Sequence, residues 1–130
     1  MYVALAIGTI VLGLSVHFQG YALGTTSRDV LGDIIWAAMI AWWVGAIAPR
    51  LSLRARIVMA VTICFAVEVS QLYHTASLDS LRSTMAGRLT LGSGFDPRDL
   101  LAYIVGVLAA AFMEWSWRLR VRRNSQSVVR

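Results

Sequence analysis

The stretch Ile57-Val-Met-Ala-Val-Thr-Ile-Cys-Phe-Ala-Val-Glu68-Val-Ser-Gln71-Leu-Tyr-His74 begins as an apolar run and ends in polar groups. A run of this kind predicts a helix crossing a bilayer, which takes about 20 residues. An ionised group at the centre of such a helix costs roughly 2.5–3.5 kcal/mol on insertion scales. Glu68, kept near the end of the run, is therefore expected to be paired or used. Glu68 and Gln71 are three apart and share a helix face, which Thr75 continues.

Three further apolar runs flank this one. They cover about residues 2–23, 30–48 and 97–117, with the central stretch read as 57–73. The first is read as a retained helix, because no basic start and no small-residue cleavage pattern marks it for removal. Pro49 closes the second, and Pro97 suits the first turn of the fourth. The expected architecture is all-α: an integral membrane four-helix bundle over residues 1–117. It has an ordered extracytoplasmic loop between helices 3 and 4, and residues 118–130 form a basic cytoplasmic tail. The connection from about 75 to 96 carries leucines among polar residues and is expected to hold a short amphipathic or re-entrant segment.

Composition agrees. The chain is 58% hydrophobic and only 15% charged, with a mean hydropathy of +0.65. Soluble domains hold about 25% charged residues. The net charge of +5 comes from arginine, and the chain has no lysine. Arg50, Arg54 and Arg56 lie between the second and third runs, and Arg118, Arg120, Arg122, Arg123 and Arg130 follow the fourth. The other connections mix Arg28, Arg82, Arg88 and Arg98 with Asp29, Asp79, Asp96 and Asp99. This asymmetry predicts a multi-pass protein of the bacterial inner membrane with both termini in the cytoplasm. Membrane orientation explains the charge better than nucleic-acid binding, so no nucleic-acid partner is expected. Cys64 is read as a small buried hydrophobe.

With that topology the polar residues converge at one end. Asp33, Trp36 and Ile40 form one helical stripe, and Asp99, Tyr103 and Gly106 another. Both are expected to face inward, with Gly106 allowing close helix approach. The inner halves of the helices read as nearly free of charge. The expected site is a polar cavity at the outer leaflet. Its candidate ligand-binding residues are Glu68, Gln71, Tyr73, Arg82, Arg88, Asp99 and Tyr103, supported by Arg28, Asp33, Trp36, His74 and Asp79. Arg82 and Arg88 are expected to meet phosphate or carboxylate. Arg28, Arg82 and Arg88 remain alternative partners for Glu68. His, Cys and acidic residues lack metal-site spacing, and neither a phosphate loop nor a nucleophile elbow occurs. No metal, cofactor or catalytic residue is assigned.

The run Glu68, Gln71-Leu-Tyr-His74, Leu78-Asp79, Leu81-Arg82, Thr84, Gly87, Leu91-Gly92, Phe95, Asp99-Leu100, Tyr103 and Gly106, with Arg28, Gly32-Asp33 and Trp36, resembles a small bacterial four-span membrane family of unknown function. Some members of that family carry the label YjgA and a description in ribosome maturation. The resemblance covers about residues 28–106. Ala76-Ser77 stands where that family is expected to have Pro-Trp. More distantly, the chain is similar to the VanZ-like group, which implies an envelope role in glycopeptide susceptibility. The resulting expectation is a binding module for an amphiphilic, lipid-like envelope ligand in contact with the bilayer. The alternatives are an enzyme on a lipid-linked substrate, or an accessory subunit of a homo-oligomer or larger membrane complex.

Overall fold

The computed structural model describes residues 1–91 and 94–127, excluding the side chains at 21, 23, 88, 89 and 124–127. Among the described residues the regular structure is helical, joined by turns and short irregular connections. Helix α1 covers Tyr2–Gln19, α2 Thr25–Ile47, α3 Leu53–Ser70, α4 Ala76–Ser83, α5 Met85–Leu91 and α6 Pro97–Ser127.

Local chemistry sets most boundaries. A 3-10 turn, Gly20–Leu23, follows α1 and leads to Gly24 at φ 73° and ψ 159°. That region belongs essentially to glycine, and it lets the chain reverse into α2. Ser52 caps α3 by accepting from the Ala55 N–H at 3.2 Å, and Thr75 caps α4 by accepting from Leu78 N–H at 3.3 Å. Asp96 Oδ1 accepts from the Arg98 N–H at 2.9 Å, directly ahead of Pro97. This is the expected chemistry of a helix N-terminus.

Several boundaries differ from those read in the apolar runs. Helix α1 ends at Gln19 rather than near 23, and α2 starts at Thr25 rather than near 30. Helix α3 covers Leu53–Ser70 rather than 57–73, so Thr75 caps α4 instead of continuing the face of Glu68 and Gln71. Helix α6 continues to Ser127 rather than ending near 117. Backbone hydrogen bonding outlasts hydropathy: arginine is a good helix former, and cations are favoured near a helix C-terminus. The expected solvated tail is therefore helical through Ser127.

Helix α2 is central. It packs against α1, α3 and α6, and α3 also packs against α6. The core joins Ala37 and Val44 of α2, Ala60 and Cys64 of α3, and Tyr103 and Val107 of α6. Small residues bring α2 and α6 close. A Cβ on Gly106 would lie 2.2 Å from the Ile34 carbonyl oxygen. Outward, α6 exposes Leu101, Val105, Leu108, Phe112 and Trp115, a continuous apolar face at helical spacing.

Three helices are long and apolar enough to cross a membrane: Tyr2–Gln19, Thr25–Ile47 and Pro97–Arg123. They give the chain the character of a membrane protein. Helix α3, expected as another span, is not among them. It carries Arg54, Arg56 and Glu68 within eighteen residues.

Candidate functional site

Glu68 is fully buried at the end of α3. Its Oε2 accepts from Gln71 Nε2 at 3.1 Å and from the Tyr103 hydroxyl at 2.9 Å. Its Oε1 accepts from the Asp96 backbone N–H at 2.8 Å. One carboxylate thus ties the end of α3 to the start of α6. Among the described residues no arginine pairs with it. Arg28 is nearest Asp29, at 3.9 Å, and Arg82 nearest Asp79, at 3.6 Å.

In front of Glu68 lies an open cleft of about 1090 Å3, slightly above the roughly 300–1,000 Å3 usual for ligand pockets. The start of α2 contributes Arg28, Asp29, Asp33 and Trp36 to its wall, and the start of α6 contributes Asp99 and Tyr103. Gln71 closes the α3 side, while Ile10, Leu14 and Phe18 of α1 supply an apolar flank with Met39 of α2. Asp33 and Asp99 face each other within side-chain hydrogen-bonding reach. Two carboxyls so placed repel unless a proton or a cation lies between them. The Trp36 and Tyr103 rings stand 5.3 Å apart beside this pair. Gln71 is 4% exposed. With its amide nitrogen donating to Glu68, its Oε1 is left buried without a partner.

The twelve residues nominated from sequence therefore separate. Gln71, Asp99, Tyr103, Arg28, Asp33 and Trp36 meet at the cleft, with Glu68 behind them. Tyr73, His74, Asp79 and Arg82 stand at the α3–α4 junction. There the Arg82 guanidinium donates to the carbonyls of Ser70 at 2.7 Å and Tyr73 at 2.8 Å, satisfying orphan acceptors at the end of α3. His74 and the Tyr73 ring are exposed. The Arg88 side chain lies outside the described residues. Among the described residues no three His, Cys, Asp or Glu side chains form a metal-binding group.

A second polar cluster lies at the opposite end of the helices. Arg56 and Glu114 are buried and form an ion pair through Nη2 and Oε1. The Tyr2 hydroxyl donates to Glu114 at 2.9 Å and accepts from Arg56 Nη1 at 2.8 Å. Arg118 reaches the same carboxylate at 2.6 Å. This corrects the expectation of charge-free inner halves. Arg56 is no loop cation, and Arg118 is no free tail residue. Sequence signals existed: Arg56, Ala60, Cys64 and Glu68 repeat at intervals of four along one face of α3, and Glu114 precedes Arg118 by four.

Residues 22–107 match a protein family described as "Protein of unknown function (DUF2809)". The match encloses the 28–106 region of the motifs and supplies neither the YjgA nor the VanZ label. No solved structure matches the chain.

Proposed function

We infer that this chain, which belongs to the DUF2809 family of unknown function, binds the head of an amphiphilic, lipid-like molecule in the cleft between α1, α2 and α6. The carrying observation is the cleft itself: about 1090 Å3, with carboxyls and Gln71 at one end and an apolar flank of Ile10, Leu14 and Met39. Such a wall matches a molecule whose polar head and hydrocarbon chain must be covered together. On this reading α3 is a fourth span, since Arg56 and Glu68 turn their charges inward. The arginine distribution supports an inner-membrane protein with both termini in the cytoplasm and the cleft at the outer leaflet.

The facing carboxyls of Asp33 and Asp99 support a second reading, acid–base chemistry on a lipid-linked substrate. Paired carboxyls can hold and deliver one proton. Turnover with a bell-shaped pH profile, abolished by Asp99→Asn, would favour it.

Native mass spectrometry of protein gently extracted from its own membrane tests the binding reading. Gly32 lines the cleft and has nothing within 4 Å of a Cβ built upon it. Gly32→Leu therefore fills the cleft without disturbing a helix contact. A bound lipid-like species on the wild type, lost in Gly32→Leu, is expected. Bare protein in both samples argues against the reading.

A further inference from the structure

The hydrogen-bonding inventory of the cleft is lopsided. Among the described residues four carboxyls line it, from Asp29, Asp33, Asp96 and Asp99, against one arginine, Arg28, and His17. Arg28 stands beside the exposed Asp29. The Arg28 Nε is buried without a hydrogen-bond partner. Asp33 and Asp99 face each other, and both feel the charge of Glu68. Gln71 hydrogen-bonds that same Glu68.

Gln71 is the decisive side chain. It is more than nine-tenths buried, and Glu68, an acceptor, dictates which end of the amide carries nitrogen. Gln71 is among the residues that line the cleft, and its buried oxygen meets no donor. A buried acceptor left unmet is costly, so a molecule seated here is expected to bring N–H or O–H groups. The Asp33–Asp99 pair stays net negative whether it holds one proton or none. The Trp36 and Tyr103 faces add the negative π-surface that attracts a cation.

We propose that the cleft selects an amphiphile whose head is a primary ammonium, seated against Asp33, Asp99 and Gln71 with its chain along the α1 flank. An ammonium carries three donors and one positive charge, matching three acceptors and a net negative site. An anionic head would face four carboxyls for the one described arginine. This proposal rests on the amphiphile-binding reading above and names the head that reading leaves open.

The test uses four probes of one chain length on full-length protein in maltoside micelles: dodecylammonium, dodecyltrimethylammonium, dodecanol and dodecyl phosphate. Native mass spectrometry counts the adducts of each. Dodecylammonium is expected to exceed the other three by about tenfold or more at equal concentration. That preference runs against the protein's net charge of +5, which by itself favours the anion. The adduct should be lost in Asp33→Asn/Asp99→Asn and blocked in Gly32→Leu. Equal or better binding of the phosphate or the alcohol overturns the ammonium head while leaving the amphiphile reading standing. Equal binding of the trimethylated probe overturns the donor match at Gln71. Dodecylammonium adducts undiminished in both variants overturn the location. Failure of all four probes overturns the proposal and the amphiphile reading together.

Discussion

Glu68 is a buried acceptor with three donors converging on it, from Gln71, Tyr103 and the Asp96 backbone. Glu68→Gln replaces one oxygen with an amide nitrogen that faces those donors. We expect a loss of about 1–3 kcal/mol, the usual penalty for an unmet buried donor, read as a lowered thermal midpoint in detergent. Tyr103→Phe deletes one donor and leaves the others in place, so it should cost less than Glu68→Gln. The importance of Glu68 was legible in its position at the end of an apolar run. Its partners were not, because arginine is the commoner companion of a buried carboxylate and three arginines were within sequence reach. Arg82 shows the same limit. Its guanidinium reaches the carbonyls of Ser70 and Tyr73, a role set by how α4 folds back on α3. Arg82→Ala should release the end of α3, raising hydrogen exchange at the last turn.

At the scale of the helix, glycine separates two contexts. Gly106 sits against the α2 backbone, and an added Cβ would come 2.2 Å from the Ile34 oxygen. Helices α2 and α6 must then part, so Gly106→Ala should destabilise by about 1–3 kcal/mol, the usual cost of overpacking. Gly32 faces open space on the same α2. Gly32→Ala should be neutral or stabilising by up to about 1 kcal/mol through helix propensity alone. Parallel thermal melts of the two variants in one detergent check the contrast. Close approach at Gly106 was readable from the Asp99, Tyr103, Gly106 stripe. Gly32 lies beside Asp33 in the same kind of sequence, yet only the packing reveals that no neighbour faces it.

Across the whole molecule, two buried polar clusters bracket a core of small and apolar side chains. The far cluster draws Tyr2 from α1, Arg56 from α3, and Glu114 and Arg118 from α6. Removing Glu114 strands the buried Arg56, which costs about 3–5 kcal/mol in comparable pairs. Removing Arg56 leaves Glu114 with Arg118 and Tyr2 and costs less. Apolar replacement of both members is often tolerated. Arg56→Met and Glu114→Met should each impair accumulation in the membrane, and Arg56→Met/Glu114→Met should recover most of it. Equal defects in all three variants would show that the pair is not what joins α3 to α6 there.

The sequence alone determined the helical character and the presence of helices long and apolar enough to cross a membrane, because both follow from the composition of long apolar runs. It also marked Pro97 as the first turn of α6, which depends on neighbours a few residues away. Tertiary structure alone decided which polar residues share the cleft, which brace helix ends and which pair at the far end. Those outcomes depend on the rotation and register of helices joined through residues far apart in sequence. Each residue turns a helix by about 100°, so the same acid can face lipid, cleft or core. Only the packing of α2, α3 and α6 against one another selects among them.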